Sequence, residues 1–138
     1  MKNETTNEKT TYAGQPLQVG DKVGVRYHSD IKPGTVIKAT ASKVTIQLHS
    51  FKLLNGPESG EPDAMTVTVG GFCAHWEGRQ RNEIDETSND GTVTATFRKG
   101  DMLNGQTGIW RQTGYTGGRG KLGGVIYNGL VAYHDYNF

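Results

Sequence analysis

His75-Trp76-Glu77 sets an imidazole and a carboxylate two positions apart, the order in which zinc deaminases place a metal ligand and a proton shuttle. That chemistry also needs a downstream PCxxC, and the single cysteine, Cys73, precedes the histidine. The four histidines, His28, His49, His75 and His134, lack the close pairing of a zinc site and read as hydrogen-bonded surface or core residues. Gly117-Gly118-Arg119-Gly120-Lys121 carries the glycines and cations of a phosphate loop without its GxxxxGK[ST] frame, and no helical pattern follows to present a positive N-terminus. It reads as a solvated connector, or as a loop reaching a partner with Arg119 and Lys121. No GxSxG elbow occurs, and Cys73 and His75 share a strand face with no obvious third group to orient them. The expectation is a protein without catalytic residues, metal or cofactor.

A different chemistry runs from Gly70-Gly71-Phe72-Cys73-Ala74-His75-Trp76 through Arg79, Arg81 and Asn82 to Arg98. An aromatic face, an amide and several guanidinium groups are what a nucleotide-like ligand requires. The ring stacks the base, arginine forks neutralise phosphates, and the amide reads a base edge or a ribose. The alternative places Phe72 in the core, with the arginines solvated or paired to Glu77, Glu83 and Asp85.

The elements that must position these residues are strands. Glycine fills 20 of 138 positions and 33% of residues are hydrophobic, a balance that favours turn-rich β structure over helix. One domain accounts for the length. Met1 to Gly14 is too polar to repay the entropy of ordering and is expected to be a flexible tail, leaving 15–138 as a single β-rich ligand-binding domain. Val23, Val25 and Tyr27 alternate with polar or small residues, as do Val44, Ile46 and Leu48, with another strand over Thr35 to Thr40 and a turn over Asp30 to Gly34. A meander over Val19 to Leu48 results. Asn55 to Pro62 is a loop, and Met65, Val67 and Val69 restart the alternation.

Asp90-Gly91 tolerates positive φ and is expected to close a hairpin, setting Ile84 opposite Phe97 and Glu83 opposite Arg98. In that register Asn82 and Arg98 occupy opposite faces, so one pocket could hold both only through a bulge, a wider turn or a second subunit. Dense glycine beyond Gly100 predicts long loops joining short strands at Ile109-Trp110 and Val125 to Tyr127, and the closing Tyr133, Tyr136 and Phe138 are expected to pack. The fold class expected is all-β, a small decorated antiparallel β-barrel or curved sheet with a long glycine-rich C-terminal loop. Lys plus Arg number 15 against 14 acidic residues, so no global field draws the chain to nucleic acid or an anionic membrane. No apolar run reaches the ~20 residues of a membrane span or forms a signal peptide.

Several of these residues occur in an order that resembles a phage protein family. They are Tyr27-His28-Ser29-Asp30 leading into Gly34-Thr35-Val36-Ile37, Gly70-Gly71-Phe72-x-x-His75, Gln80-Arg81, Asp90-Gly91, Phe97-Arg98-Lys99 with Gly108-x-Trp110, and Tyr133-x-Asp135-Tyr136-Asn137-Phe138. Over roughly residues 20 to 138 the chain is similar to the first type of Thoeris anti-defence protein. These are sponges that sequester cyclic ADP-ribose isomers made by bacterial TIR-domain enzymes, some also holding cyclic oligonucleotides. The resemblance implies a homo-oligomer, dimer or hexamer, that binds its signal between protomers in the host bacterial cytoplasm and does not degrade it. It assigns Phe72 as the stacking aromatic, Asn82 as the polar reader, and Arg98 and Arg81 to the phosphates. Two other readings of the residues are a phage structural or assembly protein and an SH3-like module that binds nucleic acid, the net charge of +1 weighing against the latter.

Overall fold

The computed structural model describes residues 2–6, 14, 16–27, 30–70, 73–103, 105–114 and 123–136. Among these residues eleven strands follow in chain order: β1 (Lys2–Thr6), β2 (Lys22–Tyr27), β3 (Asp30–Ala39), β4 (Lys43–Leu48), β5 (Ser50–Leu53), β6 (Thr66–Gly70), β7 (Cys73–Glu77), β8 (Arg81–Asp85), β9 (Thr92–Leu103), β10 (Gln106–Gln112) and β11 (Ile126–Asn128). Among the described residues there is no helix, and so none long and apolar enough to cross a membrane. The fold is all-β, as composition and alternation require.

Six strands form an antiparallel sheet in the order β10-β9-β4-β3-β2-β11. Its two ends nearly meet: Arg111 bridges Val125, and Gln112 N donates to Gly124 O at 2.7 Å, which makes the sheet a nearly closed barrel. One core cluster is built from Val23, Val25, Val36, Val44, Ile46, Leu48, Ala95, Trp110 and Ile126. Burial alternates along β4, where Val44, Ile46 and Leu48 are buried and Lys43 is exposed. A second cluster gathers Ile31, Leu103, Ile109, Val125, Tyr127 and Val131. Ile109-Trp110 and Val125-Ile126-Tyr127 therefore divide their side chains between two buried faces, which is why these strands read as continuous apolar runs. Gly24 makes room for the second cluster, since a Cβ there would lie 2.9 Å from Ile31 and 3.3 Å from Val131.

Outside the barrel, β1-β8-β5 form a three-stranded antiparallel sheet and β6-β7 a two-stranded ribbon. The first strand departs from expectation. Lys2–Thr6 lies within the segment expected to be a tail, yet it runs along β8 from Lys2 opposite Asp85 to Thr6 opposite Arg81. Backbone pairing to an available strand edge needs no apolar side chains, so polarity alone did not exclude a strand there.

Two turn assignments are corrected. Asp30 to Gly34 is strand: Tyr27 pairs with Asp30, and Gly34 pairs with Leu48. A Cβ on Gly34 would stand 2.6 Å from Ile46 Cγ2 and 2.9 Å from Gln47 O, so this glycine serves close strand approach. Asp90-Gly91 closes no hairpin, because β8 and β9 lie in different sheets and the expected pairs Ile84–Phe97 and Glu83–Arg98 do not form. Ile84 faces Asn3 and Phe51, while Arg98 faces Ile109. The chain turns earlier, where the Asp85 carboxylate accepts from Thr87 N and Oγ1, and Ser88 Oγ donates to Asp85 O. Asp90 N then donates to Leu48 O and Gly91 O accepts from Leu48 N, both at 2.8 Å, so these two residues already run beside β4. Of the glycine-rich C-terminal region, strands form at the two expected places; 115–122, with Arg119 and Lys121, lies outside the described residues.

Candidate functional site

Val67 and Trp76 are directly opposed across the β6-β7 ribbon and therefore share one of its faces. Together with Leu53, Gly56, Pro57, Glu58 and Ser59 they line a groove of about 490 Å³. That volume falls within the roughly 300–1,000 Å³ of small-molecule sites. Hydrocarbon and indole dominate the lining, and among the described residues Glu58 is its ionisable side chain.

The loop wall of the groove is held by a buried amide. Asn55 is fully buried; its Nδ2 donates to Asp63 O at 2.9 Å and Arg79 O at 2.7 Å, and its Oδ1 accepts from Arg81 N at 2.7 Å. Its own carbonyl accepts from Met65 N, and Leu54 N donates to Arg81 O. One side chain thus ties the loop after β5, the start of β6 and the start of β8 into one unit. Nearby, the Arg81 guanidinium reaches the Asp63 carboxylate through Nε at 2.9 Å and Nη2 at 3.2 Å, with Glu61 at 3.7 Å. This hydrogen-bonded cation holds the Asp63 carboxyl below its ordinary range.

The aromatic wall is backed by the C-terminal segment. Trp76 stacks on Tyr136 with centroids 4.4 Å apart and planes 13° apart, and His134 meets Tyr136 edge-on at 4.5 Å. The segment is fastened by three kinds of contact: Gln80 Nε2 donates to His134 O, Asp135 N donates to Asp30 Oδ1 at 2.7 Å, and Ile31 and Tyr133 exchange backbone hydrogen bonds. Burial, then the Asp30 charge, raises the Tyr136 phenol above its ordinary value of 10.0. The C-terminal aromatics Tyr133 and Tyr136 pack, as expected; Phe138 lies outside the described residues.

Of the four residues expected to carry binding, Phe72 also lies outside the described residues. Arg81 and Asn82 are neighbours on β8, and Arg98 is on β9 in the other sheet. Asn82 is fully buried, its Nδ2 donating to Gln80 Oε1 at 3.2 Å and Ala132 O at 3.0 Å, while its Oδ1 meets no hydrogen-bond donor among the described residues. Arg81 is bound to carboxylates, and Arg98 is exposed. Strand pairing does not bring the three together, and none of them lines the groove. Trp76 was legible within the aromatic stretch; Asn55 carried no signal beyond that of an ordinary turn asparagine.

A second polar cluster looks catalytic in outline. Thr35 Oγ1 lies 2.7 Å from His49 Nε2, and His49 Nδ1 lies 2.9 Å from Ser88 O. A carbonyl only accepts, so Nδ1 carries a proton, and in the neutral ring Nε2 accepts from the threonine hydroxyl. His49 is buried, however, and both nitrogens are engaged in pinning the β8-β9 crossover to the barrel, as is Gln47 Nε2, which also donates to Ser88 O. Lys22 paired with Glu86 at 2.7 Å reinforces the same junction.

A family model described as a domain of unknown function (DUF7205) matches residues 10–54, which takes in β2 to β5 and leaves Val67 and Trp76 outside. No curated protein and no solved structure matches the chain.

Proposed function

We propose that this protein is a non-enzymatic binder that captures a nucleotide-derived signal and sequesters it intact, acting as a phage anti-defence protein in the cytoplasm of the host bacterium. The observation that carries the reading is the stacked Trp76–Tyr136 pair beside a ligand-sized groove. An indole fixed from behind by a second ring is a stiff platform, and a planar base that packs on such a surface loses little conformational entropy. The ligand class comes from the resemblance to sponges for cyclic ADP-ribose isomers and, in some members, cyclic oligonucleotides. In this reading Phe72 and Arg98 complete the site across a homo-oligomer contact, Arg98 being exposed and able to meet a phosphate carried by a neighbouring copy. Arg81 and Asn82 hold the wall of the site.

The test is native mass spectrometry of the purified protein with and without added cyclic ADP-ribose isomers and cyclic dinucleotides. Retention of a ligand mass on an oligomer, with unmodified nucleotide recovered after heat denaturation, is the expected result. A hydrolysed product accumulating with time and protein amount overturns it in favour of an enzyme.

A further inference from the structure

The lining of the same groove bears on which base it takes. We infer that it seats a guanine-type ring, with Glu58 accepting from the ring's N1–H and N2 amine while the phosphates remain outside the groove. This rests on the reading of the groove as a nucleotide site, and of the two ligand classes named for it a guanine-bearing cyclic oligonucleotide is favoured over cyclic ADP-ribose, whose base is adenine.

Among the described residues, the side chains of the lining are apolar apart from Glu58 and Ser59. A carboxylate is an acceptor at both oxygens, so a ring edge that meets it favourably must offer donors. Guanine presents two parallel N–H donors spaced for the two carboxylate oxygens, and such charge-assisted pairs are the strong ones. Adenine offers one amine beside the lone pair of N1, which faces the second oxygen with like polarity. A phosphate is disfavoured more strongly still, because the lining contributes a negative charge and, among the described residues, no cation. Arg81, adjacent to the groove wall through its backbone bonds to Asn55 and Leu54, is drawn to the Asp63 and Glu61 carboxylates. Ser59 Oγ accepts from Glu61 N at 3.2 Å, which ties that hydroxyl to the loop, and Glu58 is the charged group that meets the edge. The ring then packs between the Trp76–Val67 face and the Pro57 turn.

Calorimetric titration of the full chain with guanosine, inosine and adenosine tests this. Charged hydrogen bonds are worth roughly 1.5–3 kcal/mol, so guanosine should bind about tenfold or more tightly than adenosine, with inosine between. Glu58→Gln, an exposed and nearly isosteric change, should bring guanosine and adenosine to comparable affinity, because an amide both donates and accepts. Guanosine 5′-monophosphate should bind no more tightly than guanosine. Equal binding of the nucleosides, or an unchanged preference in Glu58→Gln, overturns the assignment of Glu58; if Trp76→Leu then abolishes binding in a chain that still melts cooperatively, the groove remains a nucleotide site. Nucleoside binding that survives Trp76→Leu, or no binding of nucleosides or cyclic dinucleotides at all, overturns both.

Discussion

The Trp76 indole lies face to face with the Tyr136 phenol, 4.4 Å between centroids, although the whole of β8 to β11 separates the two residues in the chain. This contact joins the β6-β7 ribbon, which has only two strands, to a segment anchored on the barrel. An isolated two-stranded ribbon is marginal in water, so its position depends on such docking. Tyr136→Ala should lower the melting temperature by about 3–5 °C, since aromatic pairs contribute roughly 0.5–1.5 kcal/mol beyond their burial and about 1 kcal/mol shifts a domain of this size by a few degrees. Tyr136→Phe keeps the ring and should change little. Differential scanning calorimetry separates the two, and equal loss in both variants would mean that the hydroxyl, rather than the stack, holds the segment.

Gly34→Ala should cost about 1–3 kcal/mol, the usual range for overpacking, because its Cβ would press on Ile46 and on the Gln47 backbone, which cannot rotate away. Gly100→Ala is the control: nothing lies within 4 Å of a Cβ there. Urea titrations of the two variants should differ in midpoint; a Gly34→Ala midpoint at the parental value would place β3 and β4 farther apart than described.

Strands with one buried face were legible because alternation records the two environments directly, as along Val44, Ile46 and Leu48. What escaped was any decision made by a partner distant in sequence. Asp90-Gly91 has the chemistry of a hairpin turn, but Leu48 takes its backbone groups, and nothing near residue 90 announces that. Conversely, Leu103 pairs with Gln106 beside Gly105, whose φ is 80°, a tight connection that the dense glycine beyond Gly100 does not single out. The candidate site divides similarly. The aromatic stretch ending at Trp76 stood out by composition, whereas Glu58 and Pro57 looked like loop punctuation until the fold laid them beside it.

Arg98 and Asn82 should separate binding from stability. Arg98 is exposed, so Arg98→Ala should leave the melting temperature within about 1–2 °C while weakening the cyclic ligand about tenfold, the value of one desolvated charged hydrogen bond. Asn82→Ala removes donors to Gln80 and Ala132 from a fully buried position and should destabilise by about 1–3 kcal/mol. Titration and melting of both variants check the pair, and unaltered affinity in folded Arg98→Ala removes that residue from the site.

Stability should fall at both ends of the pH scale for separate reasons. Asp63 is held below its ordinary 3.8 by the Arg81 hydrogen bond, so its contribution is present above 3.8 and disappears as pH falls through the lower folded value. Burial, followed by Asp135 and Asp30, raises Tyr133, and burial with Asp30 raises Tyr136, so the folded state disfavours both phenolates. Their contribution is intact below 10.0 and is lost as pH rises toward the folded values. Asp63→Asn should flatten the acid limb of a melting-temperature profile, and Tyr136→Phe part of the alkaline limb. An acid limb that is unchanged in Asp63→Asn assigns the loss to other carboxylates.

The Thr35–His49 pair makes a prediction about a proton. Ser88 O can only accept, so His49 carries hydrogen on Nδ1, and in the neutral ring Nε2 accepts a hydrogen bond from the Thr35 hydroxyl. Nitrogen NMR of selectively labelled protein near neutral pH should show the Nδ1-protonated tautomer. Thr35→Val keeps the β-branched shape but leaves a buried imidazole nitrogen without its donor, which should cost about 1–3 kcal/mol. Because Ser88 also receives the Gln47 amide, the loss should appear first as faster hydrogen exchange at Asp90 N, whose bond to Leu48 O closes the crossover against the barrel. An Nε2-protonated histidine, or exchange at Asp90 unaffected by Thr35→Val, would mean that the crossover is held by Lys22–Glu86 and Gln47 without help from this relay.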